Sequence, residues 1–163
     1  MIRVGDTVVY GANGVCDVTG IEERSFGGQK NDYYILRPVS GAGSTVYVPV
    51  NNERLTSRMK RMLNEEEIRD LISRTDAADI GFTSSDNERR TRYKECFERG
   101  DRGEIISYVK AVLAHQDEVT SAGKKLHICD ERFLSTAVKV LYEEFTIVLK
   151  IEPEDVLRLI KGE

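Results

Sequence analysis

The first sixty residues alternate short apolar runs with tight turns, and this pattern predicts β-structure. Four runs rich in valine, tyrosine and threonine have the length and composition of strands: residues 8–10, 15–18, 33–36 and 45–48. The first turn ends in Asn13 and Gly14, a pair that can supply the positive φ of a tight strand connection. Short strands this closely spaced predict a small antiparallel sheet curled into a barrel.

From about residue 53 the apolar residues recur three and four positions apart, a spacing that predicts amphipathic helices. Gly100 and Gly123 follow two of these segments and are typical helix-terminating residues. We therefore predict an α+β protein, with a small antiparallel β-barrel over residues 1–60 and an all-helical bundle over residues 61–163. Capping spacings or a first-turn proline place the predicted helix starts at Asn64, Ser85, Asp101 and Glu152.

Composition places the chain among soluble globular proteins. Its 163 residues are 40% hydrophobic and 32% charged, with a formal net charge of −4. A net negative charge argues against binding nucleic acid through bulk charge but leaves room for a local basic face. The N-terminus has no apolar signal region and no run is long enough to span a membrane, so we expect a cytoplasmic protein without a membrane partner.

Motifs of known catalytic chemistry are missing from the sequence, which has no phosphate-binding, dinucleotide-binding, zinc-protease or serine-hydrolase signature. His115 and His127 show no carboxylate or thiol at metal-ligand spacing. The three cysteines are far apart, which favours reduced, packed thiols over disulfides or a metal site. We expect no enzyme activity, no cofactor, no metal and no small-molecule substrate.

One segment is basic within an otherwise acidic chain, because six arginine and lysine residues fall between positions 89 and 102. Acidic residues in and beside the segment permit a second interpretation, a salt-bridged and solvated helix face. Helical spacing allows Arg89, Arg92 and Arg99 to lie near one face, and a helix N-terminus adds positive potential toward a phosphate. The candidate DNA contacts are Arg89, Arg90, Arg92 and Lys94.

Several motifs, taken in order along the chain, resemble those of the CarD/CdnL family of bacterial transcription regulators. Residues 5–10 (GDTVVY) resemble the opening signature of the family, and residues 47–50 (YVPV) resemble the closing strand of the same domain. In the helical half, residues 123–127, 130–133 and 141–145 are similar to the variety found in Firmicutes. The resemblance covers essentially the whole chain.

This resemblance implies a Tudor-like, SH3-like barrel, similar to the polymerase-interacting domain of the transcription-repair coupling factor, that binds the β subunit of RNA polymerase. It also implies a helical domain that contacts promoter DNA, largely without reading its sequence, and stabilises the open complex. In relatives a tryptophan wedges into the minor groove there, and this chain has no tryptophan. Phe82 is the aromatic residue at a comparable place, and two interpretations of it are open: it packs under the linker, or it is the wedge, which is the hypothesis that we carry forward.

The resemblance also implies positions that face polymerase. Arg24 matches an arginine that the family uses toward polymerase. A second arginine of some relatives is Tyr47 here, which can stack at an interface but loses the ion pair. The expected polymerase-binding residues are Arg24, Tyr47, Val48 and Pro49.

Two other functions are compatible with the sequence. The protein could be a protein–protein interaction adaptor that uses the barrel to bind its partner and has no DNA role. In that case the basic helix is only a solvated face. Binding of RNA by the basic helix is less favoured, since the aromatic platform expected of single-strand readers is missing.

Overall fold

The computed structural model describes residues 1–41, 43–77 and 83–163. These residues form two compact units, Met1–Met62 and Leu63–Glu163. The first unit is built on a five-stranded antiparallel sheet and the second on helices, so the predicted α+β fold is confirmed.

The N-terminal unit is an antiparallel meander of four strands, extended by a fifth strand beside the first. Neighbouring strands pair in the order β4-β3-β2-β1-β5, which leaves β4 and β5 as the two outer strands. One face of the sheet packs inward around valine, leucine, cysteine and methionine side chains. The elements are β1 (Thr7–Tyr10), β2 (Val15–Phe26), β3 (Gln29–Pro38), β4 (Val46–Pro49), the short helix α1 (Glu53–Thr56) and β5 (Met59–Arg61).

Two features of this sheet differ from the sequence prediction. β5 is not among the four predicted strands; it lies after the point where the apolar spacing becomes helical, pairs with β1 and places the buried side chain of Met59 in the core. β2 runs well past residue 18 to Phe26, because a bulge between Val18 and Gly20 lets the strand continue as a polar arm paired with β3.

The first turn has a structural role. The backbone N–H of Tyr10 donates to the carbonyl of Gly14 at 2.9 Å across a 3₁₀ turn, Gly11–Asn13. Gly14 has the positive φ, 72°, that closes the connection, while Asn13 does not adopt a positive φ.

The C-terminal unit contains the longer helices, and its predicted start signals form hydrogen bonds. The side chains of Asn64, Ser85 and Asp101 each accept the backbone N–H three residues further on. None of the helices in the described ranges is long and apolar enough to cross a membrane. The helices are α2 (Glu65–Arg74), α3 (Asp86–Arg99), α4 (Arg102–Ser121), α5 (Ile128–Leu149) and α6 (Pro153–Lys161).

The core of the C-terminal unit lies along α5. Its buried stripe consists of Phe133, Ala137, Leu141 and Phe145. A carboxylate is buried beside this stripe: Glu144, 1% exposed, accepts hydrogen bonds from the backbone N–H of Leu63 at 2.8 Å and from Nε of Arg102 at 2.6 Å. Glu144 therefore ties the segment before α2 and the first turn of α4 to the central helix.

Candidate functional site

An aromatic and charged cluster lies on the outer face of the N-terminal sheet. Side chains two residues apart share one face of a strand, so Glu22, Arg24 and Phe26 project together from the arm of β2. Register brings Tyr33 of β3 opposite Glu22, and Tyr47 of β4 lies opposite Ile35, two residues further along β3. We call Glu22, Arg24, Phe26, Tyr33 and Tyr47 the outer-face cluster.

Arg24 is held in place within the outer-face cluster. Its guanidinium donates from Nη2 to Oε2 of Glu22 at 2.7 Å and lies 5.4 Å from the ring centre of Tyr47. The hydrogen bond to Glu22 is the main cause that raises the pKa of Arg24. Phe26 packs edge-on to Tyr33 with ring centres 5.0 Å apart and lies 5.8 Å from the Tyr47 ring. The structure thus brings Arg24 and Tyr47 together, two predicted site residues far apart in sequence.

A groove runs from this cluster along β4. It has a volume of about 710 Å³, and its lining includes Phe26, Tyr33, Tyr47, Pro49 and Leu55. β4 is the last strand in the sheet order, so no further strand of the described chain covers its outer edge. The N–H of Val50 donates to β3, and since an antiparallel ladder alternates, the N–H and C=O of Tyr47 point outward at this edge.

Val48, predicted to bind polymerase, faces the opposite way. Its side chain is 1% exposed and belongs to the core of the N-terminal unit. A partner at this surface can therefore meet Tyr47 and Pro49 through their side chains but cannot reach the side chain of Val48.

In the helical unit, the position of Arg89 corrects the sequence prediction that it contacts DNA. Its side chain is 6% exposed and donates two hydrogen bonds of 2.9 Å to the fully buried carboxylate of Asp130. It also donates to Asp86 at 2.7 Å and to the carbonyl of Thr83 at 3.0 Å. Arg89 lies with Tyr93 on the buried side of α3. It therefore joins the starts of α3 and α5 and does not face a DNA phosphate at the surface.

The other cations of the basic segment divide between two flanks of α3. On one flank Arg92 pairs with Glu88 at 2.8 Å, and Arg99 pairs with Glu104. On the other flank lie Arg90 and Lys94, four residues apart and both exposed. Arg90 donates to the neutral side-chain oxygen of Asn87 at 3.0 Å, and Lys94 has no acidic partner within the described ranges. The expectation that Arg89, Arg92 and Arg99 share one DNA-facing side is therefore wrong.

Phe82, the predicted wedge, lies outside the described residues. Thr83, the next residue, is described, and its carbonyl accepts the hydrogen bond from Arg89. The buried arginine thus anchors the chain directly after the predicted wedge.

His127 has neighbours of metal-ligand type that sequence spacing did not indicate. Ligand atoms of Asp86, His127 and Cys129 lie within 4.8 Å of one another. Nδ1 of His127 accepts the N–H of Cys129 at 3.1 Å, so Nε2 carries the proton that faces Asp86 at 3.2 Å. The guanidinium of Arg89 contacts both Asp86 and Cys129. A neighbouring positive charge and an engaged imidazole disfavour a cation, so this group fits a helix-capping network better than a metal site.

The thiols of the helical unit are poor nucleophiles at neutral pH. Burial raises the pKa of Cys96 to about 12 and also raises the pKa of Cys129. Because the thiolate is the reactive form, both side chains behave as packed, protonated groups. Cys16 is buried as well.

Glu22, Phe26 and Tyr33 of the outer-face cluster were not predicted from the sequence. The signal available was the alternation Glu22-x-Arg24-x-Phe26, which places the three side chains on one face once β2 is known to extend this far. Asp130 was not predicted as the partner of Arg89 either, because the two residues are 41 positions apart.

Comparison with known proteins agrees with the resemblance in the sequence. The model of the CarD-like/TRCF RID domain matches residues 2–62, which is the N-terminal unit almost to its ends. The chain is also similar to "Putative transcription factor YdeB" of Bacillus subtilis (strain 168). The two are 24% identical over 163 residues, covering 96% of this chain and 97% of the relative.

Proposed function

Because residues 2–62 belong to the CarD-like/TRCF RID domain family, we propose that this chain is a transcription regulator that binds the β subunit of RNA polymerase through its N-terminal sheet. Its helical unit contacts promoter DNA and stabilises the open complex. The predicted family resemblance is confirmed over the N-terminal unit, and the similarity to a relative of nearly equal length supports a regulatory role for the whole chain.

The observation that carries this proposal is the outer-face cluster beside the outer edge of β4, which no strand of the described residues covers. An extended partner segment can add a strand to such an edge, so that main-chain hydrogen bonds supply affinity and side chains supply selectivity. Aromatic residues and arginine are the residue types that dominate binding energy at interfaces. Arg24 and Tyr47 supply these groups next to the outward backbone of Tyr47, and Pro49 lines the same groove.

The DNA contact in this proposal uses the exposed cations of α3. Arg90 and Lys94 are suited to phosphates, while Arg92 first has to leave Glu88. Phe82 is the proposed wedge, because an apolar side chain inserted between base steps can hold separated strands apart. Since the two units are tethered in one chain, a weak DNA contact is strengthened once the sheet is bound to polymerase.

Promoter-complex kinetics with the cognate polymerase test this function. We expect the full chain to lengthen the lifetime of the open complex, and we expect Phe82→Ala to reduce that lengthening about tenfold, because unstacking a base step involves a few kcal/mol. If the wild-type protein binds polymerase but leaves the lifetime unchanged, the adaptor function is the better account. The ion pairing of Arg92 and Arg99 is the observation that favours that alternative.

Tyr47→Ala is expected to weaken binding to the β subunit about tenfold. The substitution removes the ring on which Arg24 and Phe26 pack, and contacts of this kind contribute about 1–2 kcal/mol at an interface. Binding of the purified full-length chain to the β subunit, measured by calorimetry, checks the value. Tyr47→Phe keeps the ring and should bind within a factor of two or three of wild type, and equal affinity for all three proteins would contradict a role for this ring.

A further inference from the structure

An exposed apolar side chain marks the start of α5. Ile128 is the first residue of the helix and is 53% exposed, although the residues around it on the inner side are buried. Its side chain lines a groove between α3 and α5 with a volume of about 250 Å³, whose floor includes Phe97 and Phe133. The groove is therefore an apolar recess that opens to solvent beside Ile128.

Cations surround this recess. Arg90 of α3 and Arg132 of α5 both line it, and Thr136 adds a hydroxyl group. Arg132 follows Ile128 by four residues and so lies on the same stripe of α5. Lys94, one turn after Arg90, extends the positive flank along α3.

On α3 the acid one helical turn after Lys94 is Glu98, which lies outside the groove lining. The lining of the groove contains no carboxylate, and among the described residues neither Arg132 nor Lys94 forms an ion pair. The opposite flank of α3 differs, because Arg92 and Arg99 are paired there with glutamates. Among the described residues, cations of α3 and α5 without an ion-pair partner thus lie at the apolar recess.

We propose that the groove between α3 and α5 is the DNA-contacting surface of the helical unit, with Ile128 packed against unstacked bases and their sugars. Arg90, Lys94 and Arg132 contact the phosphates on either side. The inference rests on the proposed function and adds to it two residues, Ile128 and Arg132, and a location. An isoleucine flanked by cations has the character of the apolar side chains that proteins insert at opened base steps, and contacts to phosphates fix its register without reading sequence.

Direct binding of the protein to DNA tests the proposed role of this groove. Full-length protein is titrated at low salt into two fluorescent probes of one sequence, a paired duplex and a duplex with a central unpaired bubble. Wild type is expected to prefer the bubble, and Ile128→Ala is expected to lose about tenfold in affinity for the bubble only, since it removes a buried aliphatic contact. Arg132→Gln is expected to weaken binding to both probes and to reduce the slope of log K against log salt concentration by about one.

Two control variants match these substitutions. Ile147 is exposed to nearly the same extent, 50%, about 28 Å further along the same helix, and Ile147→Ala should bind both probes like wild type. Arg158 on α6 is an exposed arginine, and Arg158→Gln should keep the wild-type salt slope. Helical circular dichroism confirms that each variant is folded.

The inference is overturned if Ile128→Ala keeps the preference for the bubble or if Arg132→Gln leaves the salt slope unchanged. It is also overturned if the wild-type protein binds the two probes equally. That result is expected if the groove binds an acidic peptide and not opened DNA. The probes are used without polymerase, so a failure of the sheet to bind the β subunit is detected separately and counts against the proposed function alone.

Discussion

Asp130→Ala is expected to lower the free energy of unfolding of the helical unit by about 3–5 kcal/mol. The carboxylate of Asp130 is fully buried and accepts hydrogen bonds from Arg89 and, at 2.5 Å, from the hydroxyl of Tyr93. Its removal leaves the guanidinium of Arg89 buried without its main counter-charge. Urea unfolding of the full-length chain at neutral pH, followed by helical circular dichroism at 222 nm, measures the loss.

The same carboxylate sets a pH dependence. Burial alone raises the pKa of Asp130, but the hydrogen bonds from Arg89 and Tyr93 outweigh burial, and the net pKa lies below its usual value. A group whose pKa is lowered by folding contributes stability above its unfolded pKa, about 3.9, and loses that contribution as the pH falls through the folded pKa. The loss in free energy of unfolding caused by Asp130→Ala should therefore be full at pH 7 and become smaller below about pH 4.

Two comparisons separate the buried pair from general effects of charge. Glu131→Ala removes an exposed acid from the same helical turn and is expected to cost no more than about 1 kcal/mol. Arg89→Leu combined with Asp130→Leu removes both charges and should recover much of the loss, because replacing a buried ion pair by apolar residues is often close to neutral. A double variant as unstable as Asp130→Ala alone would show that packing, and not the unpaired charge, causes the loss.

The sequence predicted those parts of the fold that depend on local signals. The capping residues Asn64, Ser85 and Asp101 form the expected hydrogen bonds, since a cap and its partner are three residues apart. Gly100 ends α3 in the left-handed conformation for an equally local reason. β5 could not be predicted in this way, because a three-residue strand has almost no pattern of its own and forms through pairing with the distant strand β1.

Local signals in the sequence indicated candidate site residues but could not show which distant residues surround them. Composition drew attention to the basic segment, but it could not separate an arginine that faces the core from one that faces solvent. Arg89 is buried because Asp130, far along the chain, supplies a charge that compensates it. Likewise, Arg24 could be chosen by resemblance, whereas its stacking on Tyr47 depends on the pairing of three strands.

Arg24→Glu is expected to weaken binding to the β subunit of RNA polymerase at least thirtyfold, the largest effect that we expect at the outer-face cluster. The change removes the cation that lies over Tyr47 and places a carboxylate beside Glu22, so that like charges meet at the centre of the surface. Loss of a central arginine commonly costs about 2 kcal/mol or more at an interface, and charge reversal adds repulsion to that loss. Calorimetry with the purified β subunit measures the affinity.

The fold should tolerate this substitution, because the side chain of Arg24 is 48% exposed and exposed ion pairs contribute little to stability. Weaker binding by Arg24→Glu therefore reports on the interface and not on unfolding, which thermal melts of the variant can verify. Arg3→Glu changes the net charge by the same amount at another exposed position and should bind like wild type. If both variants lose affinity equally, long-range charge explains the effect, and the outer-face cluster is not the binding surface.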